Sequence, residues 1–496
     1  MDMKRHHPVL LVFKLWNIVK NFFFVFLYLF VIKMQSQSLF IVYGRYLFIG
    51  LFVFSLFYIV VKWLTQTYEL DHTSFHLYEG IFNKSKRTVP FSKIQNVNRH
   101  TSFFHRLFQV TSIRFETGMT GDEAEVEFRV ISQAEANEME DYIKSRDEQL
   151  IQPLESSDDE YVDQEHEASQ SNRIVHFQPT KKDLVKASFT SLSFFALIPI
   201  IGSIYSNLND VFEVDGQVEG LVVGVMDSWF LIMLIAMVLI LVSVAFGVLR
   251  TILKYGKYEI SSDEERIYIK KGIIEETSFS ISKSNVQAVQ IIQSPLKRVL
   301  GLAEVKLTSV GLGSEEDIEV NSLYPFLPLQ RAYEMISELL PYYEVTKEMS
   351  HLPKKSLWIR LIRPSWIGIL STVALAYFKP KVFGIEHSWM WLVIALFSVI
   401  ILFRLFDFLN TRYILNHSFI QIKTGGFTTN LFISRREKIV EVHVRQSLLQ
   451  QSLGLASIGT VNRENPVHHT TIDDVPVELA NSFYEWYRNR NRTKQV

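Results

Sequence analysis

Six stretches of the chain are each about long and apolar enough to cross a bilayer, and they fall into three pairs. A hydrocarbon core about 30 Å thick takes about 20 mostly apolar helical residues. The stretches run over 10–32, 46–64, 184–206, 229–249, 361–378 and 389–409. Lys14 and Lys20 interrupt the first, so Phe22 to Ile32 forms its deeper part. Pro199 and Gly202 lie inside the third, where neighbouring helices can satisfy the freed backbone groups. Because lipid offers no hydrogen bonds, each pair with its short connection is expected to be a helical hairpin with both ends on one membrane face. The polar remainder must then fold outside the lipid.

Charge gives the orientation. Cations cluster outside the hairpins, at Lys4, Arg5, Lys62, Lys181, Lys182, Lys186, Arg250, Lys254, Lys257, Lys354, Lys355, Arg360, Arg363, Arg404 and Arg412. The middle hairpin loop, NLNDVFEVDGQVEGLVVGVMD, has five acidic residues and no Lys or Arg. Loops one and three carry Lys33 with Arg45 and Lys379 with Lys381, a weaker bias of the other kind. On the positive-inside rule, both termini and the long segments that follow the three hairpins are expected in the cytoplasm. The opening MDMKRHHPVLLVFKLW reads as a retained membrane segment, since no small-residue cleavage site follows it.

About 75 residues of soluble-type sequence follow each hairpin, and the three copies align without gaps over their middle. Gly80, Gly272 and Gly425 correspond at spacings of 192 and 153. The same spacings match Phe104 with Leu296 and Leu449, and Phe108 with Leu300 and Leu453. Tyr68, Tyr258 and Tyr413 open the copies. Such self-similarity marks a repeat architecture. Within a copy the apolar period is first 2, as in Val440, Val442 and Val444, and then switches to i, i+3, i+4 in Leu296, Val299 and Leu300. Gly301 and Gly454 stand where left-handed caps end that short helical turn; Gln109 occupies the place in the first copy, so a different cap is expected there. Ser132 with Glu135 forms a capping-box pattern, and Pro328 and Pro476 stand near the starts of the other two closing helices.

Several strands closed by one helix resemble the pleckstrin-homology-like domain of bacterial membrane proteins of the YdbT type (bPH2 type). The residues that carry the likeness are the three tyrosines, the three strand-turn glycines, and the pattern VQAV followed by SPLKRVLGL in the second copy. The first copy has IQNV with SFFHRLFQV and the third IVEV with SLLQQSLGL. The resemblance spans essentially the whole chain. It implies a PH-like fold in each module, a cell-membrane location and no assigned enzyme activity; no cofactor is expected. It further implies a smaller membrane protein with one such module as a partner.

The remaining features exclude more than they assign. Lys plus Arg number 51 against 52 Asp plus Glu, so no overall field attracts nucleic acid. The absence of cysteine removes disulfides and thiol chemistry. No phosphate-binding glycine loop, zinc motif or nucleophile elbow is present. His468, His469, Asp473 and Asp474 read as an exposed hairpin, with no metal site expected. Arg404 and Asp407 read as an interfacial salt bridge at the end of the sixth span. Residues 147–170 hold nine acidic residues and no Lys or Arg, which suits a solvated tether.

The fold class expected is therefore a multi-pass α-helical membrane protein with α+β modules: three repeats of a transmembrane hairpin and a PH-like sheet or barrel closed by a helix. The domains are hairpin 10–64, module 67–146, acidic linker 147–180, hairpin 184–253, module 257–342, linker 343–360, hairpin 361–409 and module 412–490. The repeat positions Gly80, Gly272, Gly425, Leu296, Leu300, Gly301, Leu449, Leu453 and Gly454 shape the modules. Lys181, Lys182, Lys186, Arg250, Lys254, Lys257, Lys354 and Lys355 would meet anionic lipid headgroups. The function expected is a non-enzymatic membrane scaffold whose modules bind a protein or peptide through strand edges or the barrel mouth. The competing class is a transport or immunity component giving resistance to a membrane-active antimicrobial peptide.

Overall fold

The computed structural model describes residues 3–71, 73–81, 83–117, 125–149, 173–190, 229–309, 322–381, 385, 387–464 and 467–490. It divides into one unit of Met1–Asn172 with Ile274–Ser280, and another of Arg173–Ile273 with Ile281–Val496. Among the described residues, four helical segments are long and apolar enough to cross a membrane: Val9–Ile32, Leu39–Thr65, Lys354–Phe378 and Ser388–Asn410. Most of the expected acidic tether, most of the expected third span and all of the middle hairpin loop lie outside the described residues.

In the first unit, β1 (Lys4–Arg5) leads into α1 (Val9–Phe26), which runs on as a π-helical turn to Ile32, and α2 (Leu39–Thr65) returns. Phe22, Phe48 and Phe52 pack edge-on and stacked between the helices. Arg45 closes the turn by donating to the carbonyls of Leu29 at 3.0 Å and Lys33 at 2.5 Å. The module follows as β2 (Thr67–Leu70), β3 (Ser74–Glu79) and β4 (Ser85–Pro90), then β5 (Ile94–Thr101), α3 (Phe103–Leu107), β6 (Val110–Thr117), β7 (Glu125–Ser132) and α4 (Gln133–Gln149). Strands β1 to β4 form one antiparallel half-sheet, and β5, β6 and β7 pair in a second. Alternation sends Phe75, Ile113, Phe115 and Phe128 inward around Tyr68, and Ala136, Met139 and Ile143 of α4 cover them at helical spacing. Each fully buried large apolar side chain contributes about 1.5–3 kcal/mol. Ser132 and Glu135 make the reciprocal capping box that starts α4.

The second unit repeats this plan twice. Its first copy has β8 (Ile174–Phe177), α5 (Lys181–Thr190), α6 (Trp229–Tyr255), β9 (Glu259–Ser262), β10 (Arg266–Lys271), β11 (Glu276–Ser282), β12 (Val286–Gln293), α7 (Pro295–Val299), β13 (Leu302–Ser309), β14 (Ser322–Pro328) and α8 (Leu329–Leu339). The first residues of β11 lie in the first unit. The second copy has β15 (Ser350–His351), α9 (Lys354–Ile362), α10 (Trp366–Phe378), α11 (Ser388–Asn410), β16 (Arg412–Leu415), β17 (Phe419–Thr424), β18 (Thr429–Arg435), β19 (Ile439–Arg445), α12 (Leu448–Leu453), β20 (Leu455–Asn462), β21 (His468–Pro476) and α13 (Val477–Arg488). Lys181 and Lys182 open α5, which also holds Lys186; Arg250 and Lys254 lie on the last turns of α6, and Lys257 follows it; Lys354 and Lys355 open α9.

Two features go beyond the sequence reading. The segments read as linkers before the second and third hairpins carry short strands. These, with β1, pair beside the first strand after each hairpin: Lys4 opposite Tyr68, Ile174 opposite Ser262, and Ser350 opposite Tyr413. The left-handed cap also recurs in all three copies, because Gln109 adopts φ 54° where Gly301 and Gly454 have φ 68°. The expected difference in the first copy is thus one of residue and not of conformation. Gly80 and Gly425 have φ 120°, and a Cβ there would lie 1.8 Å from the Asn83 carbonyl oxygen and 2.0 Å from that of Thr428.

Candidate interaction edge

β12, VQAVQIIQ, has no charged residue and is almost wholly buried. It pairs with β13 on one side and with β18 of the following module on the other, from Ala288 opposite Ser434 to Gln293 opposite Thr429. Side chains lock the seam: the Ser434 hydroxyl donates to the Gln287 carbonyl at 3.0 Å, the Asn430 amide to Gln290 Oε1 at 3.1 Å, and Arg298 to Thr429 Oγ1 at 3.0 Å. In the first unit β5 takes β11 as its neighbour in the same way. There Arg106, the counterpart of Arg298, pairs with Glu276 at 3.4 Å. A module's second half-sheet therefore receives the third strand of the next module's first half-sheet.

β19 is the third module's counterpart of β5 and β12, and among the described residues it pairs with β20 alone. Its sequence, IVEVHVR, leaves Val440, Glu441, Val444 and Arg445 exposed. The chain's own last helix covers its start: Arg490 donates to the Ile439 carbonyl at 3.2 Å and the Tyr487 hydroxyl to that of Val440. Val440 is the counterpart of Gln287, whose carbonyl Ser434 occupies in the closed seam. The open run is thus Glu441 to Gln446. His443 lies flat over Gly459, its cross-strand partner, where a Cβ would meet the ring nitrogen at 2.1 Å.

The repeated apolar turn after each receiving strand is not part of the module core. Phe103, Phe104 and Leu107 of α3, Leu296, Val299 and Leu300 at α7, and Leu448 and Leu449 of α12 are all exposed, and Leu453 is partly so. The third helical position of each turn instead carries a polar anchor. His105 contacts the Arg129 carbonyl at 3.1 Å, Lys297 pairs with Glu304 at 2.8 Å, and Gln450 donates to Asp474 at 2.8 Å. Burial pushes the His105 imidazole below its ordinary range.

Gln450 joins a buried ionic cluster at the base of the third hairpin. Arg360 of α9, 7% exposed, pairs with Asp407 of α11 at 2.5 Å and with the fully buried Asp474 at 3.4 Å. It also donates to Thr411 at 3.1 Å and to the Asp473 carbonyl at 3.2 Å. Asp407 accepts in turn from the Gly425 amide at 3.1 Å. The expected Arg404–Asp407 pair gives way to this one, while Arg404 caps α9 by donating to the carbonyls of Arg360 and Leu361. Asp473 and Asp474, expected on an exposed strand hairpin, therefore pack against the base of the third transmembrane hairpin. His468 stacks on Phe432 with ring centroids 5.6 Å apart. Among the described residues no group of three or more His, Asp or Glu is arranged to hold a metal.

The bacterial PH domain family matches this chain three times, over residues 22–147, 208–342 and 367–491. The chain is similar to the UPF0699 transmembrane protein YdbT of Bacillus subtilis (strain 168), at 23% identity over 497 residues that cover 98% of each protein. No solved structure matches it. With all three strand-and-helix modules inside the matched ranges, the chain belongs to the bacterial PH domain family.

Proposed function

We propose that this protein is a non-enzymatic scaffold of the cell membrane. Its hairpins hold the PH-like modules at the cytoplasmic face, and a protein partner adds a strand to the module edge that the chain leaves open. A smaller membrane protein carrying one similar module has the third strand that such an edge accepts. The observation that carries the reading is the contrast between β12, enclosed on both sides, and β19, its exposed counterpart. Edge pairing gives affinity through main-chain hydrogen bonds and selectivity through the flanking side chains. The cations at the hairpin bases and the exposed apolar turns suit an anionic lipid surface. Purification in mild detergent from the native membrane, with mass spectrometry of what accompanies the chain, tests the reading. A stoichiometric protein lost on Val444→Pro substitution supports it; purification with lipid alone, at native expression and without self-association, refutes it.

A further inference from the structure

We propose that the open edge of β19 receives β4 of a second copy of this chain. The inference rests on the scaffold reading and names the occupant of its edge. β4 is the first module's counterpart of β11 and β18, the two strands that dock onto a preceding module. It stands at the end of its half-sheet, paired with β3 alone among the described residues, and is mostly exposed. One chain thus ends in an edge that receives and begins with a strand of the kind received.

The closed seam fixes the register. Carrying the β12–β18 pairing over by the repeat spacings sets Glu441 opposite Val89, Val442 opposite Thr88, His443 opposite Arg87, Val444 opposite Lys86, Arg445 opposite Ser85 and Gln446 opposite Lys84. No pair sets like charges directly opposite, an arrangement that would be destabilising.

Charge then selects this edge over the others. Lys84 occupies the position of Glu276 and Thr429, whose side chains meet Arg106 and Arg298 in the closed seams. A lysine there would oppose either arginine. The corresponding residue beside β19 is Gln451, whose amide oxygen accepts from an ammonium group. β4 is therefore complementary to the third module's edge and mismatched to the other two. Because the two surfaces differ, the contact is heterologous: copies add head to tail until a ring closes.

The cysteine-free sequence permits a direct test on the full-length protein in lipid vesicles. Chains carrying Ser85→Cys are mixed with chains carrying Arg445→Cys and oxidised mildly. The expected result is a disulfide dimer in the mixture, none with either chain alone, and none when Ser85→Cys meets Glu441→Cys, four residues out of register. One chain bearing both Ser85→Cys and Arg445→Cys should give a ladder. Gln451→Arg should lower the cross-linking yield about two- to five-fold, and adding Lys84→Glu should restore it by recreating the Arg106–Glu276 arrangement. Equal yields in and out of register overturn the assignment. If instead another protein co-purifies and shields Arg445→Cys from thiol reagents, self-pairing falls and the scaffold reading stands; a monomer with Arg445→Cys freely labelled removes both.

Discussion

Replacing Arg360 by methionine removes the buried cation that pairs with both Asp407 and Asp474 at the base of the third hairpin. Asp474 is fully buried, and its remaining ion-pair partner is Arg363 at 3.4 Å, a half-exposed side chain. Breaking a buried pair on one side costs ~3–5 kcal/mol, chiefly the penalty of leaving a carboxylate without its counter-charge. At about 3 °C per kcal/mol, the melting midpoint of the third module should fall by roughly 10–15 °C. Thermal unfolding in detergent, followed by the fluorescence of a variant that keeps Trp486 alone of the eight tryptophans, reads this locally, because Trp486 packs on Phe483 of the same core. Arg363→Met is the comparison: its side chain is 46% exposed and bridges Asp473 at 2.9 Å and Asp474 at 3.4 Å, while Arg360 stays on Asp474, so a loss of about 1 kcal/mol, well below that of Arg360→Met, is expected. Adding Asp474→Asn to Arg360→Met should recover part of the loss, since asparagine tolerates the φ of 63° and carries no charge. Equal shifts for the two arginine variants, or a shift below about 1 kcal/mol for Arg360→Met, would refute the reasoning.

Gly80→Ala and Gly425→Ala should each cost about 2–3 kcal/mol in thermal melts, because the added methyl meets a carbonyl oxygen at positive φ. Gln109→Gly should be neutral to stabilising by about 1 kcal/mol, as it relieves a left-handed residue. Burial holds His6 and His105 below the ordinary imidazole range. Their folded forms bind fewer protons than the unfolded chain, so this contribution is fully present above pH of about 6.5 and is lost as pH falls below it. His105→Gln, the residue at the same place in the third module, should flatten that acid limb of the stability profile. Lys381→Cys, at the turn of the third hairpin, should react with impermeant thiol reagents from outside intact cells, and Arg445→Cys only after permeabilisation; the reverse pattern would invert the orientation.

Periodicity and glycine placement made the repeats legible, because a left-handed backbone restricts residue choice and leaves a mark at a fixed spacing. Gln109 hid one such mark by adopting the conformation without the residue. The strands β1 and β15 are two residues long, KR and SH, and no alternation can show in a pair of residues. The seam between β12 and β18 is hidden in the sequence for a different reason: an edge contact is made by backbone. Its signal was nonetheless present, since VQAVQIIQ lacks the charges that IVEVHVR carries at Glu441 and Arg445. In the sequence Arg360 is one cation among many flanking the membrane, because its burial depends on α11 and β21, which are distant in sequence.

The short strands β1 and β15, which lead into the first and third hairpins, give these two a common mechanical property. Where the chain goes into the membrane it is hydrogen-bonded to the strand that carries it out, so the two legs are tied at the root. Spreading the legs at that point would require pulling the tie strand from its sheet. Lateral load on the lipid side is delivered to the sheet, and any seam that the sheet shares with a neighbour lies in its path.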